Sequence, residues 1–326
     1  MRVALIGLGM AVTPHAKSLV DLKERAQVAY AFSPSAARRA SFAQRFPFPQ
    51  CSDLGTILAD RSVQAVLVLT PPSTHLEVVE RCAAAGKHVL LEKPLEISTA
   101  RAEKLVEKCK NIKLGVVLQH RFRPAAEKLQ EIVKSGSLGQ LVSASACVPN
   151  WRPQTYYDQP GRGTRARDGG GVLLTQAIHT LDLFLSFTPE IAEVRAFSTI
   201  TAVHRMETED LVCAALRFAN GALGTVHATT AAYPGYPERI ELIGTSGTAV
   251  LEGTSLVVQL VDSEALRMKT ESGAGGTGAD PMAFPHDWHR GVLADFLDAI
   301  ERGREPRVSG AEALKVHRFI DRLLAG

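Results

Sequence analysis

The chain has 326 residues, enough for two ordinary domains or one large one. A hydrophobic content of 45% with 22% charged residues excludes a disordered or fibrous protein, and a net charge of +3 implies neither nucleic acid nor a membrane surface as partner. Five scattered cysteines without a CxxC pair point away from a disulfide framework and from structural zinc.

The apolar start MRVALIGLGM runs straight into AVTPHAK without a small-residue cleavage site, so no signal peptide is expected. No run approaches the roughly eighteen apolar residues of a spanning helix, and a reducing cytoplasm is the expected compartment. Up to residue 118, the runs VALIG, VAYAF, AVLVL, HVLLE and KLGVVL are apolar on consecutive positions, as buried parallel strands are. Amphipathic segments at 12–23, 34–46, 73–86 and 98–110 separate them, with Ser73 and Ser98 as helix starts and Gly86 as a stop. This alternation predicts a doubly wound α/β domain of Rossmann type over residues 1–120.

The pattern then changes. A helix near 123–135 leads to the strand candidate QLVSASACV, a loop rich in Pro, Gly and Arg (149–168) and a glycine-opened helix at 170–186. From 190 to about 270, strand follows strand across turns such as ANGA and GTSGT. Residues 121–326 are therefore expected to form an α+β domain with an open, mostly antiparallel sheet. ESGAGGTGADP reads as a loop, and helices at 287–302 and 310–324 close the chain and could pack back on the first domain.

Chemistry concentrates at the strand ends. Gly7 and Gly9 follow the first strand and precede a helix, with Met10 next in the turn: the context in which a backbone approaches a dinucleotide pyrophosphate. Val12 takes the third glycine position. The second strand ends on Ser33 where NAD sites carry an acid, and Arg38 and Arg39 follow one turn later. A hydroxyl and a guanidinium could bind a 2′-phosphate, which places NADP ahead of NAD; the alternative is that both arginines are simply solvated. Thr70 and Pro71 open the loop after the AVLVL strand, and His75 follows either as a ligand contact or as a packing residue.

HVLLEKPLEIS ends a strand on Glu92 and Lys93, and Pro94 holds Lys93 extended. From a Rossmann strand end, an ammonium can hydrogen-bond a substrate hydroxyl and lower its pKa. In the helix at 170–186, Thr175, His179 and Asp182 fall on one face, and His179 is the natural group for moving a proton near neutral pH. Glycines 169–171 allow a ligand or another backbone to approach the helix start. In the loop NWRPQTYYDQPGRGTRARD, Trp151, Arg152 and Tyr156 suit a sugar bearing an acid group, although a solvated or subunit-contact loop fits as well. No tyrosine has a lysine four residues on, HExxH is absent, and HDWH at 286–289 reads as a helix start rather than a metal site; no metal is expected.

Together GLG, TPPSTH, GKHVLLEKPL, QHRFRPA and DGGGVLLTQAIHTLDL resemble the Gfo/Idh/MocA oxidoreductases over essentially the whole chain. The resemblance implies a Rossmann domain with an open-faced sheet that packs in homodimers or homotetramers. It implies Lys93 and His179 as the catalytic residues, with Glu92 and Gln119 near the cofactor and Arg121 near the substrate. The implied activity is NAD(P)-dependent hydride transfer at a secondary hydroxyl or ketone of a sugar, cyclitol or sugar derivative. Alternatives on the same fold are a glycosidase using transient oxidation and a non-catalytic sensor. Thr175 stands where many members have an aspartate, and His120 where an asparagine is frequent.

Overall fold

The computed structural model of the chain describes residues 1–269 and 285–326; the expected loop ESGAGGTGADP lies outside them. The chain divides into two units.

The first unit comprises Met1–Gln119 with His286–Leu314. In chain order it contains β1 (Arg2–Ile6), α1 (Val12–Asp21), β2 (Gln27–Phe32), α2 (Ala36–Ala43), β3 (Gln50–Cys51) and α3 (Leu54–Ala59). There follow β4 (Ala65–Val68), α4 (His75–Ala84), β5 (His88–Leu91), α5 (Thr99–Lys108) and β6 (Leu114–Val116). The strands pair in the order β3-β2-β1-β4-β5-β6, all parallel. Every residue of β4 is buried, because helices cover both faces of a doubly wound sheet. The pair β3 and α3 was not anticipated from sequence. Pro47 and Pro49, which cannot donate to a ladder, lie just before β3, and it is only two residues long. Asp53 then caps α3, accepting from the N–H groups of Gly55 and Thr56 at 2.9 and 3.0 Å.

Ser98 caps α5 as expected, accepting from the Arg101 N–H at 3.4 Å. Ser73 does not cap α4: it sits in a single turn of 3₁₀ helix, Pro72–Thr74, and α4 begins only at His75. The difference arises because the Thr74 hydroxyl bonds back to the Pro71 carbonyl at 2.8 Å, closing that turn first.

The second unit comprises His120–Pro285 with Lys315–Gly326. It holds α6 (Pro124–Lys134), β7 (Leu141–Pro149), α7 (Gln154–Tyr157), α8 (Ile178–Phe187), β8 (Ile191–Thr199), β9 (Leu211–Phe218) and β10 (Leu223–Thr229). β11 (Arg239–Gly244), β12 (Gly247–Glu252), β13 (Ser255–Leu260) and β14 (Leu266–Lys269) complete its sheet. Two helices close the chain: α9 (Asp287–Glu301), which packs on α1 in the first unit, and α10 (Gly310–Ala325).

The eight strands run in the order β14-β13-β12-β11-β7-β10-β9-β8, antiparallel except where β10 meets β7. One face is apolar and covered: Val212, Leu216, Val226, Ala228, Ile240 and Leu242 are all buried, and α6 and α8 pack on this sheet. On the other face Phe197, Cys213, His227, Cys147 and Arg239 stand opposite one another across five strands. Phe197 there is 87% exposed. All five cysteines are free, and among the described residues no helix is long and apolar enough to cross a membrane.

Candidate active site

In the first unit the predicted cofactor residues line the carboxyl edge of the parallel sheet. Gly7 adopts φ +106°, and a Cβ there would lie 2.8 Å from the Leu69 carbonyl carbon and oxygen, so only glycine lets the β1 and β4 ends run this close. Gly9 precedes α1, whose first residues carry no side-chain cap; Met10 beside it is 51% exposed. An uncapped helix N-terminus behind a glycine turn presents N–H donors to a phosphate. This arrangement fits a dinucleotide.

At the end of β2, Ser33 is buried and its hydroxyl accepts from the Ser35 N–H at 3.3 Å, while Arg39 donates to the Ser33 carbonyl at 2.5 Å. Arg38 is exposed, and Ser35 caps its helix. Thr70 is part-buried and Pro71 exposed, whereas Gln119 is buried.

His75 requires correction. It was expected at the cofactor, yet it is wholly buried, with Nδ1 against the Pro94 and Leu95 carbonyls at 3.0 and 3.2 Å and Nε2 against the Thr70 carbonyl at 2.9 Å. Burial pushes its pKa down, against the pull of those carbonyls. The ring ties the loop after β4 to the loop after β5 and has no surface left for a ligand.

Lys93 and Glu92 follow β5 directly, both part-buried, and the Lys93–Pro94 peptide is cis. Glu92 accepts from the Lys93 backbone N–H at 3.0 Å and from His15 Nε2 at 2.7 Å. His289 of α9 lies edge-on to His15, the ring centroids 5.0 Å apart. Sequence reasoning missed this group. The HDWH motif shows no partners in its own segment, and His289 meets Glu92, just after β5, and His15 from the other end of the chain.

In the second unit, α8 carries His179, buried and stacked on the His120 ring with centroids 4.9 Å apart. Arg123, the largest fully buried side chain, bonds both to His120 and to Glu238. Arg121, expected at the substrate, makes a two-pronged pair with Asp182 at 2.7 and 2.6 Å, one turn from His179. Much of its donor capacity is thereby spent on holding α8.

The helix before His179 does not have the expected single register. Leu173–Ala177 form a π-helical turn before α8 starts, so Thr175 and His179 are not related as in a regular α-helix. The Thr175 hydroxyl donates to the Gly171 carbonyl at 2.6 Å. Glu209 takes the helix start in its carboxylate, accepting from the N–H groups of Gly171 and Leu173 at 3.0 and 3.2 Å, while its carbonyl accepts from Val172 at 2.8 Å. Of the two partners that the glycines could admit, the structure shows another backbone.

Trp151 and Arg152 follow β7. Trp151 packs edge-on against Tyr233, ring centroids 5.4 Å apart, and Arg152 is buried. The Tyr156 ring faces the guanidinium of Arg162 at 4.5 Å and that of Arg152 at 5.8 Å. Beneath this cluster a fully buried His204–Asp210 pair at 2.7 Å fixes the Arg152 carbonyl through Nε2 at 2.8 Å. Neither His204 nor Asp210 carried a motif that would have marked it.

Residues 1–120 match the family described as "Oxidoreductase family, NAD-binding Rossmann fold", and residues 126–250 match "GFO/IDH/MocA C-terminal domain". The chain is 28% identical to a myo-inositol 2-dehydrogenase of Thermotoga maritima, over 96% of this chain and 92% of that protein. It is 26% identical to an NAD(+) scyllo-inositol 2-dehydrogenase of Bacillus subtilis, over 96% and 90%. The WlbA dehydrogenase of Bordetella pertussis, solved with NADH and UDP-GlcNAcA, superposes with a TM-score of 0.84 over 99% of this chain and 95% of that one; at 24% identity the likeness is one of fold.

Proposed function

Because the chain belongs to the GFO/IDH/MocA oxidoreductase family, we propose that it oxidises a secondary hydroxyl of a cyclitol, sugar or sugar acid, or reduces the corresponding ketone. Placement of Lys93 directly after β5, at the carboxyl edge of the parallel sheet, carries this reading. Gly7, Gly9 and Met10 hold the pyrophosphate of a nicotinamide dinucleotide, and Ser33 with Arg38 receives a 2′-phosphate, so NADP is preferred to NAD. When bound, the dinucleotide supplies the hydride acceptor or donor. The Lys93 ammonium donates a hydrogen bond to the substrate oxygen and favours its deprotonated form. His179 takes the hydroxyl proton during oxidation and returns it during reduction. Trp151, Arg152, Tyr156 and Thr175 contribute the walls and polar groups that select the ring.

The open face of the eight-stranded sheet, with Phe197 at its exposed edge, is the surface through which a homodimer or homotetramer assembles. The free thiols accord with a reducing, cytoplasmic setting.

The test is a spectrophotometric screen of cyclitols, anhydrosugars and sugar acids, with NAD and NADP in parallel. Net production of reduced cofactor is expected, faster with NADP. Stronger turnover with NAD would remove the role given to Ser33 and Arg38. Silence across the panel, in both directions, would remove the activity.

A further inference from the structure

Glu92 has no part in the chemistry above, and neither have His15 and His289, yet all three meet beside Lys93. His15 is 1% exposed and donates from Nε2 to Glu92 Oε1 at 2.7 Å; the other carboxylate oxygen accepts from the Lys93 backbone N–H at 3.0 Å. One carboxylate is thus held at both oxygens, by α1 on one side and by the peptide that carries the lysine on the other. His289, 3% exposed, closes the group from α9, its ring nearly perpendicular to that of His15 at 88°.

The trio offers donor types that also bind metals, all within 4.8 Å of one another. Two of those atoms, however, are already joined by the direct His15–Glu92 hydrogen bond, and the charge of Lys93 acts on the same carboxylate. Like charge beside the site and a spent ligand pair favour a hydrogen-bond chain over an ion.

We propose that His15 is a positioning residue for Lys93: acting through Glu92, it fixes the backbone from which the ammonium is delivered. The value of this placement to turnover rests on the reading of Lys93 given above. A charge-assisted hydrogen bond from a rigid helix is a strong way to orient a loop peptide, and a buried carboxylate deprived of one donor is costly enough to rearrange. Burial alone would raise the Glu92 carboxyl; the His15 hydrogen bond and the charges of His15, His289 and Lys93 bring it below the usual range. These are the groups that face it from α1, α9 and its own segment.

The probe is the Lys93 backbone amide, observed in the full chain with selectively ¹⁵N-labelled lysine and assigned by the Lys93→Arg variant. In the wild type its shift should follow a carboxyl titration below the ordinary glutamate range. His15→Leu should speed its hydrogen exchange by about 10- to 100-fold and move that titration to higher pH. His15→Gln, which can still donate from Nε2, should restore both. A Lys93 amide blind to any carboxyl in the wild type overturns the proposal. So does one unchanged in His15→Leu, or as disturbed in His15→Gln as in His15→Leu. None of these measurements needs turnover, so near-normal activity of a Lys93→Met variant would sink the catalytic reading separately.

Discussion

Lys93 can be tested without disturbing the Gly7–Gly9 turn, because that turn follows β1 and Lys93 follows β5, with β4 between them. Lys93→Met keeps the stem and removes the ammonium. Turnover should fall by about 10²- to 10⁴-fold while the dissociation constant for NADP, followed by fluorescence, stays near the wild-type value. Equal losses in both would mean that the lysine holds the cofactor instead. Its place just past a strand end was legible in the sequence because the context is local: an apolar run, then a polar end, then Pro94. His15 and His289 were not legible. Each is one buried histidine on a helix face, and only the packing of α9 on α1 reveals that His15 bonds Glu92 with His289 close by. Of the two roles that the sequence leaves open for His75, the structure shows the packing one, since a strand-end loop needs internal ties as well as ligand contacts.

The helix that carries His179 depends on one contact that its amino-acid pattern could only half announce. A Cβ on Gly171 would lie 1.8 Å from the Glu209 carbonyl oxygen, a separation that no rotamer change relieves because the obstacle is backbone. Gly171→Ala should therefore cost about 3 kcal/mol in chemical denaturation, and the surviving folded enzyme should turn over more slowly as the start of the His179 helix shifts. Gly9→Ala provides the contrast: a Cβ there meets nothing within 4 Å, so its fold should persist. The run of glycines was visible in sequence, but which neighbour they admit was not. Glu209 reaches the helix start from the segment just before β9, and burial raises its carboxyl even as three backbone N–H groups favour the charged form. The π-helical turn at Leu173–Ala177 was illegible for a related reason, since an apolar stretch satisfies both helical periods until something outside it sets the register.

Over the molecule as a whole, strand alternation made both sheets legible, whereas nothing in the pattern of one strand says what meets the open face. If that face is the assembly surface, Phe197→Asp should shift the mass seen by light scattering towards the monomer and leave cofactor binding intact. Sensitivity to acid has a source in the first unit. His289 is pushed down to about 3 by burial first and by the charge of His15 second, against an ordinary value of 6.5. The unfolded chain therefore binds a proton at this residue over a window in which the folded chain does not. Stability rises with pH wherever the unfolded state holds more protons, so it should fall as the pH drops from about 6.5 towards about 3. His75 and His88 are depressed as well and act in the same direction. Glu92, lowered in the fold, adds stability above its unfolded value and loses it as the pH falls through the folded one. Urea midpoints measured from neutrality down to acid should therefore decline steadily. In His289→Phe, which keeps the volume and removes the titration, the decline should be shallower by up to about 1.4 kcal/mol per pH unit, one proton's worth. An identical slope in the two proteins would show that His289 titrates normally and is not held neutral by its burial against His15.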